Sequence, residues 1–157
     1  MPKKQQGFSL IELLIVVAII LIISAISVPN LLRSRMAANE ASAVGSLRAV
    51  NTACITYSIT YGGGFPGALL NLTTNASGVS STAAGLIDNV LASGTKSGYT
   101  FIYVAGAVTG GVVPTYTLAA SPMVPGQTGL RYFFTDQSGV IRFNLSATAT
   151  ASDAPLQ

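Results

Sequence analysis

The N-terminal part of the chain carries one long apolar run. From Phe8 to Val28 the polar residues are few: Ser9, Glu12, Ser24 and Ser27. As a helix with a rise of about 1.5 Å per residue, this run spans roughly 30 Å, the thickness of the hydrocarbon core of a membrane. The pattern predicts a membrane-spanning helix over residues 8–29. Pro29 lacks a backbone N–H and predicts a kink at its end.

The helical pattern continues beyond Pro29 but becomes amphipathic over residues 30–61. Apolar residues recur at spacings of three and four and form one stripe: Val44, Leu47, Val50, Cys54, Tyr57 and Tyr61. The polar residues between them are expected to face solvent or other subunits: Arg33, Arg35, Asn39, Glu40 and Arg48. The glycines at positions 62–64 predict the end of the helix. A helix from Phe8 to Tyr61 would be roughly 80 Å long, with its apolar half projecting.

The remainder of the chain predicts a small antiparallel sheet. Residues 62–98 read as a connecting loop with one short helix, Ala83 to Leu91. Four strand-like runs follow within residues 99–145: Tyr99 to Val104, Tyr116 to Ala120, Leu130 to Thr135 and Val140 to Asn144. We therefore predict an α+β fold, with a sheet of three to four strands packed on the amphipathic half of the helix. Residues 146–157 read as a flexible tail.

Charge is scarce along the chain. Charged residues make up 8% of the sequence, against roughly 25% in an average soluble protein. The net charge of +3 includes Lys3 and Lys4 at the N-terminus. The arginines at positions 33, 35 and 48 have no aromatic residues between them, so no nucleic-acid partner is predicted.

The sequence offers little catalytic chemistry. It contains no histidine, which removes the commonest general base and metal ligand. No nucleophile–base pair or cluster of acids can be assembled from it, so we predict no catalytic residue, no cofactor and no metal site. The single cysteine, Cys54, falls in the apolar stripe and is expected to be a core residue. The chain is therefore not expected to be an enzyme.

Three interpretations of the N-terminal segment compete. A secretory signal peptide would have a cleavage site after its apolar region, yet here the helical pattern continues beyond Pro29. A plain membrane anchor fits the length but leaves Glu12 unexplained, because a charge inside a membrane helix costs about 2.5–3.5 kcal/mol. Ser9 with Glu12 also fits a capping box, in which the acid accepts a backbone N–H of the first turn.

The third interpretation rests on the run from Lys3 to Ile15, whose sequence is Lys-Lys-Gln-Gln-Gly-Phe-Ser-Leu-Ile-Glu-Leu-Leu-Ile. It resembles the prepilin signature of the type IV pilin superfamily, most closely that of type IVa pilin subunits. The resemblance extends to Asn30 and includes Pro29. It implies the pilin fold of a long N-terminal helix on a small antiparallel sheet.

The resemblance also implies roles for individual residues. Residues 1–7 would be a leader that a prepilin peptidase removes by cutting between Gly7 and Phe8, with N-methylation of the new amine of Phe8. Glu12 would face that amine, in its own chain or in an adjacent subunit, and guide assembly. The implied partners are identical subunits in a helical homopolymer, the prepilin peptidase, the membrane before assembly and the inner-membrane assembly machinery.

Two functions follow from the resemblance and a third does not need it. The chain is expected to be a structural subunit of an extracellular type IV pilus, stored as a precursor in the bacterial inner membrane. The alternative is a pseudopilin of a type II secretion system, which would form a short periplasmic piston. An unrelated single-pass membrane protein would show no cleavage at Gly7 and would be indifferent to changes at Glu12.

Overall fold

The computed structural model describes residues 7–75 and 78–156. The chain forms two compact units, Met1–Arg35 and Met36–Gln157. Helix α1, Leu10–Tyr61, begins in the first unit and ends in the second. The predicted leader, residues 1–7, lies outside the described residues except for Gly7.

The first unit consists of the apolar part of α1. Among its described residues, 7–35, none is buried. Its large apolar side chains are all exposed, from 42% at Leu32 to 82% at Phe8. A helix that is apolar on every side is stable only where lipid or other protein surrounds it. This stretch therefore requires lipid or other protein around it, which the isolated chain does not supply.

The second unit uses the amphipathic part of α1, and its buried face is the predicted stripe. Five of its six residues are buried: Val44, Leu47, Val50, Cys54 and Tyr57. The sixth residue, Tyr61, is partly buried. The helix ends where the glycines begin, because Gly62 has φ of +102° and Gly63 of +86°. Such left-handed backbone is accessible to glycine at little cost and stops a helix.

The sheet of the second unit is an antiparallel meander with strand order β1-β2-β3-β4-β5. Its strands are β1 Thr95–Lys96, β2 Tyr99–Ala105, β3 Tyr116–Pro122, β4 Tyr132–Asp136 and β5 Arg142–Asn144. The predicted α+β class, a long N-terminal helix with a small antiparallel sheet, is confirmed. The four predicted strands correspond to β2–β5.

The strand that the sequence did not predict is β1. Lys96 pairs with Tyr99, so only Ser97 and Gly98 form the turn, with φ of +49° and +74°. Positive φ at both central residues is the geometry of a tight two-residue hairpin turn. A Cβ at Gly98 would lie 2.9 Å from Cβ of Thr128, so close packing also requires glycine here. A strand of two residues is too short to show alternation in a sequence.

The core lies between the sheet and the second half of α1. Alternate residues of the strands point toward the helix and are buried, among them Tyr99, Phe101, Leu118 and Phe133. This is the period of two that a sheet with one covered face requires. The predicted packing of the sheet on the amphipathic half of the helix follows from these two apolar faces.

The connecting segment differs from its prediction in detail. Its short helices are a 3-10 helix, Leu69–Leu72, and α2, Asn89–Ala92, whereas the sequence suggested Ala83 to Leu91. Residues 84–87 instead donate their backbone N–H groups to carbonyls of residues 71–73, which holds them out of a helix. α2 begins only after Asp88, whose side chain accepts the Leu91 N–H at 2.8 Å.

The C-terminal segment, expected to be a flexible tail, is held against β5. The Phe143 N–H donates to the carbonyl of Ala154 at 3.1 Å, and the Leu156 N–H donates to that of Ile141 at 2.7 Å. Ala149 is only 2% exposed. Residues up to 156 therefore cover the open edge of the last strand, which would otherwise offer unpaired backbone groups to other chains.

Candidate processing and assembly site

The predicted cleavage position lies in exposed, non-helical backbone. Gly7 has no heavy atom within 4 Å of where a Cβ would stand, and Phe8 is 82% exposed. The helix begins two residues later, at Leu10. The peptide bond between Gly7 and Phe8 is therefore exposed and lies outside the helix, as access by a peptidase would require.

Glu12 lies in the first turn of α1, where its carboxylate accepts the backbone N–H of Ser9 at 3.0 Å. The turn itself is closed by the Leu13 N–H, which donates to the carbonyl of Ser9 at 3.2 Å. This is the acid half of the capping box, and the positive end of the helix dipole favours a carboxylate there. Before cleavage, Glu12 thus has a local partner.

Cleavage would change what Glu12 can bind. In the uncut chain the nitrogen of Phe8 belongs to a peptide bond with Gly7 and carries no charge. Removal of the leader would turn it into an ammonium group four positions before Glu12. The structure thus places Gly7, Phe8 and Glu12 within one short stretch at the start of the helix, and the pairing of Glu12 with the amine stays a prediction.

Pro29 lies far from this group along the same helix. α1 continues through Pro29 without interruption, although the proline supplies no N–H. The predicted kink at this position stays a prediction. Within the described residues, one helix, α1, is long and apolar enough to cross a membrane by length and composition.

Sequence reasoning missed an ion pair in the second unit. Glu40 was expected to face solvent or another subunit, but it is 7% exposed. One carboxylate oxygen accepts the backbone N–H groups of Leu130 and Arg131 at 2.8 and 3.2 Å. The other carboxylate oxygen accepts the Nε–H group of Arg131 at 2.7 Å. One signal for burial was present, because Glu40 stands four residues before Val44 and so lies in phase with the buried stripe.

The environment of Glu40 shifts its pKa downward. Burial by itself would raise the pKa of the carboxyl group, but the three hydrogen bonds from Leu130 and Arg131 and the positive charge of Arg131 outweigh it. The guanidinium of Arg131 also lies 5.7 Å from the ring centre of Phe133 and 5.9 Å from that of Phe143. This pair fixes the loop before β4 to helix α1.

A buried hydrogen-bond group joins the helix to the sheet further along. Asn51 donates to the Thr135 hydroxyl at 2.9 Å and accepts the Tyr116 hydroxyl proton at 3.0 Å. Because a buried amide without partners is costly, these contacts favour one register of the helix on the sheet. An asparagine in a helical sequence gave no indication of these contacts.

Cys54 is a core residue, as predicted from its place in the stripe. It is fully buried and free, and burial raises the pKa of its thiol to about 12. The thiolate is the reactive form of cysteine, and a pKa this high leaves almost none of it near pH 8.

We expect Cys54 to resist alkylation in the folded protein. Iodoacetamide at pH 8 should modify it at least about a hundredfold more slowly than the thiol of Ile59→Cys, because that position is 80% exposed. Urea should abolish the difference. Mass spectrometry of the labelled chain measures both rates, and equal rates in the folded protein would contradict burial of the thiol.

Comparison with known proteins bears on the N-terminal segment. The model of the prokaryotic N-terminal methylation motif matches residues 2–28. The chain is 55% identical over 38 residues to the type IV wide pilus major component PilA4 of Thermus thermophilus. That alignment covers 24% of this chain and 29% of the relative, so the chain spans less than a third of the length of the curated protein it matches. No solved structure is significantly similar to this chain.

These observations define a class of protein whose N-terminal methylation motif includes the first part of a long apolar helix, in an α+β fold with a small antiparallel sheet. The predicted relation to the type IV pilin superfamily is confirmed through this N-terminal segment.

Proposed function

We propose that the protein is a structural subunit of an extracellular type IV pilus. The observation that carries the proposal is the match of the methylation motif to residues 2–28, a segment that includes most of the helical stretch whose large apolar side chains are all exposed. Such a helix needs lipid before assembly and neighbouring subunits afterwards. The relative, whose name describes a component of a type IV wide pilus, supports a role as a subunit of a pilus-like filament.

The proposed sequence of events begins in the bacterial inner membrane. The precursor is held by residues 8–29, and a prepilin peptidase cuts between Gly7 and Phe8 and methylates the amine of Phe8. The assembly machinery then moves the helix from lipid into the core of a homopolymer. The domain formed by residues 36–157 has a structural role, without catalysis, at the surface of the filament.

Glu12 acts at the transfer from membrane to filament. Two unit charges about 4 Å apart attract by roughly 4 kcal/mol at an effective dielectric near 20. This is comparable with the cost of placing a carboxylate in the membrane, about 2.5–3.5 kcal/mol. An amine on a neighbouring subunit therefore offsets that cost and also sets the axial position of the incoming helix.

A pseudopilin of a type II secretion system is the alternative within the same superfamily. It would be processed in the same way but would form a short periplasmic piston. Mechanical shearing of intact cells separates the two. Release of long filaments that contain this chain supports the pilus, while its retention in the periplasm of cells that secrete proteins supports the piston.

Processing is tested by Gly7→Arg. We expect the variant to keep its leader, because a peptidase that closes around a glycine backbone has no room for the arginine side chain. Intact mass and N-terminal sequencing of the membrane fraction measure this, with a wild-type chain that begins at N-methylated Phe8. Gly67→Arg is the matched control, since a Cβ there also meets open space. Mature-length Gly7→Arg protein would contradict the cleavage site.

A further inference from the structure

The loop between β3 and β4, residues 123–131, exposes large apolar side chains. Met123, Val124 and Leu130 are 57%, 44% and 54% exposed. The one charged residue of the loop is Arg131, and it already pairs with Glu40 at 2.7 Å. Loops that stay in water are normally polar. This β3–β4 loop is therefore suited to an apolar or interfacial environment.

The backbone of the β3–β4 loop satisfies much of its own hydrogen bonding. The Thr128 N–H donates to the carbonyl of Val124 at 2.9 Å, and the Gly126 N–H donates to that of Gly129 at 3.0 Å. The hydroxyl of Thr128 in turn accepts the Val124 N–H at 3.1 Å. Polar groups are costly to remove from water when they lose their partners. Because these groups keep theirs within the loop, its apolar side chains can leave water at low cost.

The β3–β4 loop is attached to α1 close to the end of the apolar run. Nδ2 of Asn39 donates to the carbonyl of Thr128 at 2.9 Å, and Glu40 accepts the N–H of Leu130 at 2.8 Å. Asn39 follows the apolar Leu32 by seven positions. Seven residues span about 10 Å as a helix and at most about 25 Å when fully extended. A membrane that holds the apolar run is therefore within reach of this loop.

A second loop of similar composition lies far from the apolar run. The loop between β2 and β3 is also uncharged and exposes Val108 by 69%. It is attached beyond the C-terminal end of α1, where the Phe65 N–H donates to the carbonyl of Val113 at 2.8 Å. That end of the helix is roughly 33 Å from Asn39 at a rise of about 1.5 Å per residue. The two loops thus share their apolar character and differ in their distance from the apolar run.

We propose that the β3–β4 loop is a membrane-docking site that inserts Met123, Val124 and Leu130 into the lipid surface before assembly. The proposal rests on the proposed function only in placing residues 8–29 in a membrane, a stage that pilus and piston share. Covalent attachment to that segment gives the loop a high effective concentration at the membrane, so three apolar side chains suffice. Assembly must then release this loop from lipid as well as extract the helix.

Fluorescence quenching of a single tryptophan tests this contact. The chain contains no tryptophan, so Met123→Trp introduces the only indole group. The full-length variant is placed in nanodiscs of phosphatidylethanolamine and phosphatidylglycerol, with one chain per disc so that no second copy can cover the loop. Part of the lipid carries bromine on its acyl chains near the headgroup, where an interfacial side chain lies.

The matched control is Val108→Trp, which carries the same residue on the distant loop. We expect brominated lipid to quench the tryptophan at position 123 at least about threefold more than that at position 108, because interfacial side chains lie only about 5–10 Å deep. Adding Val124→Asp to Met123→Trp should lower the quenching at least about twofold, because a charge opposes insertion of the loop. Unchanged quenching in this double variant would show that the new tryptophan, rather than the native loop, reaches the lipid, and would overturn the proposal.

Ile20→Trp provides the reference within the apolar run. Strong quenching at position 20 with equal quenching at positions 123 and 108 overturns the docking site and leaves the proposed function intact. Absence of quenching at position 20 overturns both, because the apolar run is then outside the lipid. Strong quenching at positions 20 and 123, but not at 108, supports the docking site.

Discussion

Replacing Glu12 with valine is expected to lower the yield of sheared filaments at least tenfold while the precursor still inserts into the membrane. Valine removes the cost of a charge in lipid, so insertion should be unchanged or improved. It would also remove the proposed attraction of roughly 4 kcal/mol for the amine of Phe8. Since about 1.4 kcal/mol corresponds to a factor of ten in an equilibrium, a partial loss of this attraction is enough for the effect.

Glu12→Gln separates the two roles that the structure and the sequence suggest for this side chain. Glutamine can still accept the Ser9 N–H that Glu12 accepts at 3.0 Å, because it is the other residue found at this position of a capping box. It carries no charge and cannot pair with an ammonium group. If pairing matters, the glutamine variant should resemble the valine variant; if capping is the whole role, it should resemble the wild type.

The measurement is the amount of this chain released by shearing, relative to its amount in the membrane fraction. Intact mass of the membrane-bound chain shows whether the leader has been removed, so that a defect in assembly is not mistaken for a defect in processing. Normal filaments from Glu12→Val would refute the pairing role.

The second large effect is expected on the stability of the domain formed by residues 36–157. Glu40→Gln should lower its free energy of unfolding by about 1.5–3 kcal/mol, the usual contribution of a hydrogen bond to a charged group. The pair is only partly buried, because the side chain of Arg131 is 39% exposed. Glutamine keeps the size of the side chain, yet its amide cannot replace the charge that faces Arg131 across 2.7 Å. Urea titration of the detergent-solubilised full-length chain, read by the reactivity of Cys54, reports on this unit.

Acid should reduce the difference in free energy of unfolding between the wild type and Glu40→Gln. The pKa of Glu40 is lowered in the folded protein, so its contribution is fully present above the pKa of the unfolded chain, about 4.3. It is lost as the pH falls through the lower pKa of the folded state. The urea midpoints of the wild type and Glu40→Gln should therefore differ at pH 7 and converge below about pH 4.

Arg48→Gln is the control for this series, since it removes an exposed charge from the same helix. Its free energy of unfolding should stay within about 0.5 kcal/mol of the wild type, as is usual for surface substitutions. Equal midpoints for the wild type and Glu40→Gln at pH 7 would show that the pair does not stabilise the domain.

The two acids of α1 show why sequence reasoning succeeded at one and failed at the other. Glu12 and its surroundings, from Gly7 to the apolar run, form a local motif whose meaning lies within a few residues. Glu40 has its partners at Leu130 and Arg131, some 90 residues later in the chain. Its phase with Val44 indicated burial, but nothing near it in sequence indicated which cation would meet it.

The sequence by itself determined the long helix, its end at the glycines, the buried stripe and the α+β class. These features depend on periodicities of two and 3.6 residues and on local turn chemistry. The tertiary structure decided the two-residue strand β1, the start of α2 after Asp88 and the docking of residues 146–156 on β5. Residues 84–87 are held by hydrogen bonds to residues 71–73, and the C-terminal segment by hydrogen bonds along β5. The turn after β1 requires the close approach of Gly98 to Thr128. The local sequence pattern does not indicate which distant residues folding will bring into contact.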